Sequence, residues 1–271
     1  MLVTGAAGGI GLETARALAT LGAHVILGVR DVVRGAEVAD AIARDGGRAN
    51  VLAIDLSSLH SVRAAAARFC AAYPSLDVLV NNAGIVARER TASADGHELT
   101  WATNFLGVYA LTRALLPALA SAPEPRVVNV GSAAHAVGRL DWTDLEYERK
   151  RFAGFAAYAQ SKLALVLYTR EFSRRYPSVM ANVVHPGAIA TRIWREMPPL
   201  VRGALALVLP SPARGAVPVI RLTSADDIRA TTGRYFDRLR EAEPARAARD
   251  DADARRLWDY AEGVTSERLA L

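Results

Sequence analysis

The stretch "MLVTGAAGGIGLETA", residues 1–15, decides the fold. It places a short apolar run directly before a glycine-rich turn, and a helical pattern begins where the turn ends. Gly5, Gly9 and Gly11 permit a tight turn and let a phosphate approach the backbone, while the helix start, with Ile10, favours anionic oxygens. A strand, a glycine turn and a helix in this order predict a dinucleotide-binding unit at the beginning of the chain.

Short apolar runs alternate with longer helical patterns along the rest of the chain. The predicted helices cover residues 10–21, 32–43, 59–73, 98–119 and 158–175, and the predicted strands are "MLVT", "HVILGV", "ANVLAI", "LDVLVN", "RVVNVG", "SVMANVV" and "GRYF". Strands of this apolar kind, separated by helices, indicate a parallel sheet covered on both faces. We therefore predict an α/β fold, a single doubly wound Rossmann-type domain over residues 1–271 with a seven-stranded parallel sheet flanked by helices.

Two stretches, 134–154 and 191–212, are too long for simple connections and are predicted to be functional loops. We interpret 191–212 as a substrate lid and 237–271 as a C-terminal extension. The lid has many apolar side chains, among them Trp194, Met197 and Leu205. These side chains either line a lipophilic pocket or pack a helix on the core or on another subunit, and the spacing alone does not separate these alternatives.

Composition excludes several classes of protein. The net charge is +5, but the basic residues are interspersed with acids, so we do not expect nucleic-acid binding. Cys70 is the single cysteine, which rules out an internal disulfide and favours the cytoplasm. Because the first strand begins almost at Met1 and the longest apolar run, "GALALVLP", is too short to span a bilayer, we expect no signal peptide or membrane anchor.

The segment "YAQSK" places Tyr158 and Lys162 at i and i+4 of a predicted helix, and therefore on one face. A phenol has a pKa of about 10 and is a poor acid or base at neutral pH. A cation beside it stabilises the phenolate and lowers that pKa, which would suit proton transfer. Taken alone, a Tyr and a Lys at this spacing are usually just two surface residues of an amphipathic helix, so the rest of the chain decides.

The end of the second strand bears on the choice of dinucleotide. An acid there would bind a ribose diol, and a base would accept a 2′-phosphate. Asp31 has about the spacing of a diol-binding acid, but it also fits as the N-cap of the next helix. Arg30 stands at the strand end, and Val29 occupies the place where such an acid would be needed. We therefore favour NADP(H) over NAD(H).

Two further segments follow strands of the predicted sheet. Asp55 and Leu56 come after the third strand, where they could meet the edge and face of an adenine. Asn82, Ala83 and Gly84 come after the fourth. Both segments also have the composition of ordinary turns.

Together, "TGAAGGIG", "NNAG", Asn104 in "WATNFLG", Ser132 in "VVNVGSAAH", "YAQSK" and "HPGAIAT" occur in the order and spacing of the short-chain dehydrogenase/reductase family. The chain resembles its retinol-dehydrogenase-like branch. The resemblance implies that Tyr158 is the acid/base, that Lys162 binds the nicotinamide ribose and lowers the tyrosine pKa, and that Ser132 binds the substrate oxygen. It further implies that Asn104 holds a water of a proton relay. Pro186, Gly187 and Thr191 resemble the loop that covers the nicotinamide.

From this resemblance we predict an NADP(H)-dependent oxidoreductase that interconverts a ketone or aldehyde and an alcohol on a lipophilic small-molecule substrate. A homo-oligomer is a possible assembly of the protein. The alternatives are a carbon–carbon double-bond reductase of the same fold and a non-catalytic NADP(H)-binding regulator. We predict no metal site, because His135 and His185 are far apart in the sequence and lack clustered ligands. The acids of "DWTDLEYERK" are interpreted as a solvated insertion.

Overall fold

All of the apolar runs predicted as strands lie in one sheet of a computed structural model, which describes residues 1–189 and 210–266. The strands are β1 (Leu2–Thr4), β2 (His24–Val29), β3 (Arg48–Ala53), β4 (Val78–Asn81), β5 (Arg126–Val130), β6 (Met180–His185), β7 (Tyr235–Asp237) and β8 (Arg240–Ala242). Their order across the sheet is β3-β2-β1-β4-β5-β6-β7-β8. The strands β1 to β7 pair in parallel, so the segments that follow them meet at one edge.

The prediction of a seven-stranded, wholly parallel sheet is wrong in one detail. An eighth strand, β8, pairs antiparallel with β7. It has three residues, Arg240, Glu241 and Ala242, and forms the edge of the sheet. A short, charged edge strand of this kind carries no apolar signal, and its charges hinder pairing with another chain.

In the described ranges, the predicted helical segments lie between the strands, and two further helices lie toward the C-terminus. They are α1 (Gly9–Thr20), α2 (Val32–Arg44), α3 (Leu59–Ala72), α4 (Leu99–Trp101), α5 (Gly107–Ala114), α6 (Leu116–Ala120), α7 (Gly154–Arg175), α8 (Pro212–Ser224) and α9 (Asp251–Ser266). The sequence prediction missed α8 because Pro218 stands inside it. The predicted C-terminal extension contains β8 and α9.

The helical segment predicted over residues 98–119 is present, but it is not one regular α-helix. A π-helical turn, Ala102–Leu106, separates α4 from α5, and α6 follows after Leu115. Turns of this type are rare and frequently lie at functional sites. Asn104 lies in the middle of the turn.

The core has two halves, one on each face of the sheet. Neighbouring strand residues point to opposite faces, so that Leu2 joins one apolar cluster and Val3 the other. The first cluster includes α3, α5, α7 and α9, while the second includes α1, α2 and α8. Within residues 1–189 and 210–266, no helix combines the length and hydropathy needed to cross a bilayer.

Candidate active site

The glycine turn after β1 is joined to the segment after β4 by Thr4. The buried Thr4 hydroxyl oxygen accepts hydrogen bonds from the backbone N–H groups of Asn82 (3.0 Å) and Ala83 (3.1 Å). In return, the Asn82 side-chain amide donates to the Thr4 carbonyl oxygen at 2.8 Å. The two motifs therefore form one rigid unit, and the amide of Asn82 holds the turn.

Two positions of the glycine-rich motif, Gly5 and Gly11, have little or no room for a side chain. Gly5 has φ +68°, and a Cβ on Gly11 would lie 2.4 Å from Asn82 Nδ2 and 2.5 Å from the Gly5 carbonyl oxygen. Gly8, at the N-cap of α1, makes no side-chain cap, and the first turn has no acidic residue. Backbone N–H groups at a helix start without a protein acceptor suit phosphate oxygens. The residues present thus fit a dinucleotide diphosphate.

Arg30 and Asp31 have different surroundings at the end of β2. The Asp31 carboxylate accepts the Arg34 backbone N–H at 3.0 Å and is the N-cap of α2. Arg30 is exposed and makes no hydrogen bond or ion pair within the described part of the chain. Asp31 could have been a diol-binding acid or a helix N-cap, and in the structure it is the N-cap of α2.

Asp55 and Leu56 follow β3, and their side chains have different surroundings. Asp55 Oδ1 accepts from the Ser57 backbone N–H (2.9 Å) and from the Ser57 hydroxyl (2.7 Å), which fixes the carboxylate at the sheet edge. The Leu56 side chain is buried in the first apolar cluster. A contact of Leu56 with an adenine would therefore have to come from its backbone.

Asn104 is buried and fully engaged. Its Oδ1 accepts the Ile85 backbone N–H at 2.9 Å, and its Nδ2 donates to the Ile85 carbonyl oxygen (2.9 Å) and to Ser161 Oγ (3.0 Å). A Cβ on Gly84 would lie 3.4 Å from Asn104 Oδ1 and 3.5 Å from Lys162 Nζ. The π turn thus brings Asn104 to the glycine of "NNAG" and to the helix that carries Tyr158 and Lys162.

Ser132, Tyr158 and Lys162 meet at the carboxyl end of β5. Ser132 begins a 3-10 turn, Ala133–Val137, and its Oγ accepts the Ala134 backbone N–H at 3.2 Å. The Ser132 hydroxyl lies near the Tyr158 hydroxyl, where burial raises the tyrosine pKa and the hydrogen-bonding influence of Ser132 acts to lower it. Lys162 Nζ donates to the Val130 carbonyl oxygen at 2.8 Å and lies 5.6 Å from the centroid of the Tyr158 ring.

The expectation that Lys162 lowers the pKa of Tyr158 is not met in this arrangement. Burial raises the pKa of the Tyr158 phenol, and the influence of Ser132 only partly opposes it. Burial also lowers the pKa of the Lys162 ammonium to about 8. Burial is therefore the largest influence on the pKa of each group.

Pro186 and Gly187 follow β6 at the same edge of the sheet. Gly187 has φ +99°, and a Cβ there would lie 3.9 Å from Arg238 Nε in the turn between β7 and β8. Thr191 lies outside the described residues, as does the predicted lid apart from its last three positions, 210–212.

The acidic residues of "DWTDLEYERK", residues 141–150, predicted a solvated insertion before α7, but in the structure two of them hold the insertion in place. The Asp144 carboxylate accepts three backbone N–H groups, those of Glu148, Arg149 and Lys150. Glu146 bonds His97 Nδ1 at 2.9 Å and accepts from the Tyr260 hydroxyl at 2.8 Å. These contacts fasten the insertion to α9 and to the segment before α4.

Several residues that the sequence analysis gave no role also support the site. Thr4 joins the two cofactor motifs, and Ser161 links Asn104 to the Tyr158 carbonyl oxygen, to which its hydroxyl donates at 2.7 Å. Glu98 caps α4 through the Thr100 and Trp101 backbone N–H groups. None of these contacts has a local sequence signal. Over the described ranges, no group of three His, Cys, Asp or Glu residues could hold a metal ion.

Comparison with known proteins places these features in a family. The model of the short chain dehydrogenase family matches residues 1–199. A mouse polyprenol dehydrogenase is 43% identical over 97% of this chain and 82% of its own length. Human retinol dehydrogenase 13 is 36% identical over 95% of this chain and 82% of its own length. A solved structure described as a short chain dehydrogenase from Shigella flexneri 2a, complexed with NADP, is 26% identical, with a TM-score of 0.69 over 88% of this chain and 96% of that chain.

Proposed function

Because this chain belongs to the short chain dehydrogenase family, in its retinol-dehydrogenase-like branch, and is therefore an NAD(P)-dependent oxidoreductase acting on CH–OH donors, we propose that it interconverts an alcohol and a ketone or aldehyde on a lipophilic substrate with NADP(H). The observation that carries this proposal is the position of the buried Lys162, whose Nζ lies 5.6 Å from the centroid of the Tyr158 ring. The same nitrogen bonds the carbonyl oxygen of Val130, two residues before Ser132.

Tyr158 is the proposed proton donor and acceptor. When a carbonyl is reduced, its hydroxyl gives a proton to the substrate oxygen while Ser132 hydrogen-bonds the same oxygen. A bound nicotinamide supplies the hydride in this direction and accepts it in the other. The raised pKa of Tyr158 keeps the phenol protonated at neutral pH, so the proton to be donated is present, while the same shift makes the phenol a weaker acid.

Lys162 is proposed to hold the nicotinamide ribose. Its ammonium has three N–H donors, and one of them bonds the Val130 carbonyl oxygen. The others remain for ribose hydroxyls. With a pKa of about 8, the group is mostly protonated at neutral pH and acts as a cation.

Asn104 is proposed to hold a water that connects Lys162 with solvent. Both hydrogens of its side-chain amide are already used, on Ile85 and Ser161. A water would therefore donate to the second lone pair of Oδ1 or to backbone carbonyl oxygens of the π turn. The buried amide fixes the place of that water rather than donating to it.

The proposed dinucleotide site follows the carboxyl edge of the sheet. We assign to it the residues Gly5, Gly9, Ile10, Gly11, Arg30, Asp55, Leu56, Asn82, Ala83, Gly84, Tyr158, Lys162, Pro186, Gly187 and Thr191. The preference for NADP(H) is supported by the exposed, unpartnered Arg30 beside an Asp31 that caps α2. A guanidinium can bind the 2′-phosphate, and the committed carboxylate is not free for a ribose diol.

A lipophilic substrate is supported by two exposed apolar residues beside the reactive groups. Val137 ends the 3-10 turn that starts after Ser132 and is 65% exposed, while Phe155 lies one helical turn before Tyr158 and is 62% exposed. Both lie within five residues of Ser132 or Tyr158 along the chain, so a long substrate bound at these hydroxyls could cover them. The similarity to proteins named polyprenol dehydrogenase and retinol dehydrogenase, which are named after lipophilic alcohols, agrees with this substrate class.

In this proposal residues 1–271 act as one unit, because every described strand belongs to one sheet. The cytoplasmic location suggested by Cys70 and the homo-oligomer stay predictions.

The test is turnover on a panel of short and long aliphatic alcohols, the matching ketones and aldehydes, and enones, with NADP(H) and NAD(H), followed by nicotinamide absorbance. We expect the best kcat/KM with a long-chain alcohol or carbonyl and NADP(H). Activity restricted to enones would replace the proposal with double-bond reduction. Dinucleotide binding without any absorbance change would replace it with a binding function.

A further inference from the structure

His135 lies between Ser132 and the C-terminal segment of the chain. It belongs to the 3-10 turn that Ser132 begins and is 4% exposed. Its Nδ1 is 2.8 Å from the Ser132 carbonyl oxygen, and its Nε2 is 3.2 Å from the backbone nitrogen of Ala245. Ala245 comes directly before the 3-10 turn Arg246–Arg249.

These two contacts decide where the imidazole carries its hydrogen. The backbone N–H of Ala245 can only donate, so Nε2 of His135 must accept and has no proton. The ring is therefore neutral, with its hydrogen on Nδ1, and Nδ1–H donates to the Ser132 carbonyl oxygen. Because the ring is held at both nitrogens, it cannot flip without losing both hydrogen bonds.

The ring is also fixed by packing. The Tyr235 ring, on β7, lies 4.7 Å from the His135 ring between centroids, at an angle of 51°. Behind the same turn, a Cβ on Gly138 would lie 2.4 Å from the Ala159 carbonyl oxygen, so the turn is pressed closely on α7. The 3-10 turn thus sits between α7 and the C-terminal segment, and His135 is the side chain that spans this contact.

We propose that His135 is a positioning residue for Ser132: it holds the serine carbonyl through Nδ1–H and anchors it, through Nε2, to the backbone at Ala245. The hydroxyl of Ser132 has to meet both Tyr158 and the substrate oxygen, and a displacement of about 1 Å in such a group can cost roughly 100-fold in rate. The bond at the carbonyl fixes the peptide from which that hydroxyl projects. The C-terminal segment thereby becomes part of the catalytic arrangement without contacting the substrate. This inference rests on the proposed function, since it assigns Ser132 a catalytic role.

Two substitutions distinguish the hydrogen bond at Nδ1 of His135 from the one at Nε2. His135→Asn places an amide N–H near the position of Nδ1, keeping the bond to Ser132 and losing the one to Ala245. His135→Gln reaches the position of Nε2, keeping Ala245 and losing Ser132. We expect His135→Gln to lower kcat about 10- to 100-fold with little change in the Kd for NADPH, and His135→Asn to keep kcat within about threefold while lowering Tm. His24→Gln is the matched control, since His24 bonds Asn50 Oδ1 at 2.6 Å at the opposite edge of the sheet, and it should leave kcat unchanged.

A double-mutant cycle with Ser132→Ala distinguishes positioning from packing. If His135 acts through Ser132, the double variant Ser132→Ala/His135→Gln has the same kcat as Ser132→Ala alone. Additive losses, or equal kcat losses in the Asn and Gln variants, would overturn the inference. Failure of the proposed function is recognised separately: the wild-type protein would then turn over no alcohol or carbonyl compound, or Ser132→Ala would keep full activity.

Discussion

The ammonium nitrogen of Lys162 donates a 2.8 Å hydrogen bond to the carbonyl oxygen of Val130, the last residue of β5. This bond joins α7 to the sheet edge at the point where Ser132 follows. The side chain is 4% exposed, so the bond also supplies the buried cation with an acceptor. The position of the cation is therefore set by the sheet, and it does not depend on Tyr158.

Replacing Lys162 with methionine tests the role of this cation. Methionine keeps much of the side-chain volume but removes the charge and the donors to Val130 and to a ribose. We expect the Kd for NADPH to rise about 10-fold or more, because hydrogen bonds from charged groups contribute roughly 1.5–3 kcal/mol, and kcat to fall as well. Lys150→Met is the matched control, since Lys150 bonds Asp141 at 3.1 Å in the insertion. Unchanged NADPH affinity in Lys162→Met would remove the ribose-binding role.

Tyr158→Phe tests the proton donor. The substitution removes only the phenol hydroxyl, and it leaves the buried ring in place. We expect kcat to fall by a factor of about 100 to 10,000, the usual contribution of a positioned acid or base, with an unchanged Kd for NADPH. Tyr109→Phe is a suitable control, because the Tyr109 hydroxyl is buried without a hydrogen-bond partner in the aromatic core. A near-normal kcat in Tyr158→Phe would show that another group supplies the proton.

Arg30→Ala tests cofactor choice. If the guanidinium binds a 2′-phosphate, its loss raises the Kd for NADPH by about 10- to 100-fold and leaves the Kd for NADH within about twofold. Titration of both dinucleotides by fluorescence measures this. Arg34→Ala serves as the control, since Arg34 pairs with Glu37 on α2. Equal losses for NADPH and NADH would disprove the phosphate role.

Much of the fold could be predicted because the signals are local. The strand β2 was predicted with its observed ends, since the run "HVILGV" is bounded by Gly22 and by Arg30. The motifs after β1, β4 and β5 could be assigned to one edge because parallel strands bring their carboxyl ends together. Ser132, Tyr158 and Lys162 lie near one another at this edge, with Lys162 Nζ 5.6 Å from the centroid of the Tyr158 ring, while their roles stay predictions.

The remaining features depend on partners that are distant in the sequence. The π turn at Asn104 goes with contacts to Ile85 and Ser161, and the bond between His135 and Ala245 joins residues 110 positions apart. The prediction that the pKa of Tyr158 is lowered was wrong for a related reason. The spacing of Tyr158 and Lys162 predicts proximity, but it contains no information on burial, which here has the larger effect.

The buried His135 also predicts how stability depends on pH. Burial lowers the pKa of His135 from the usual 6.5. His185, whose pKa is also lowered by burial, lies close enough to oppose the charging of His135. The Tyr235 ring packs beside the His135 ring. Below pH 6.5 the unfolded chain therefore binds a proton that the folded protein does not, so stability decreases as the pH falls.

Urea unfolding of the wild type and of His135→Asn, at pH 7 and at about pH 5.5, measures this effect. The asparagine side chain of the variant does not titrate, and the other ionisable groups are common to both proteins. We expect the free energy of unfolding of the wild type, relative to the variant, to be smaller at the lower pH. A difference that is constant with pH would contradict a neutral, buried imidazole at this position.

Val137 and Phe155 predict that substrate length determines affinity. Val137 ends the turn that Ser132 begins, Phe155 lies one helical turn before Tyr158, and each exposes an apolar surface that a long substrate could cover. Val137→Ser and Phe155→Ser should raise KM for a long-chain alcohol several-fold, since each buried CH₂ contributes about 0.8 kcal/mol, while kcat stays within about twofold. For a short alcohol such as 2-butanol, KM should change little. Leu21→Ser provides the control, because Leu21 is 66% exposed at the end of α1, away from the site. If both site variants changed KM equally for short and long alcohols, these side chains would not contact the substrate chain.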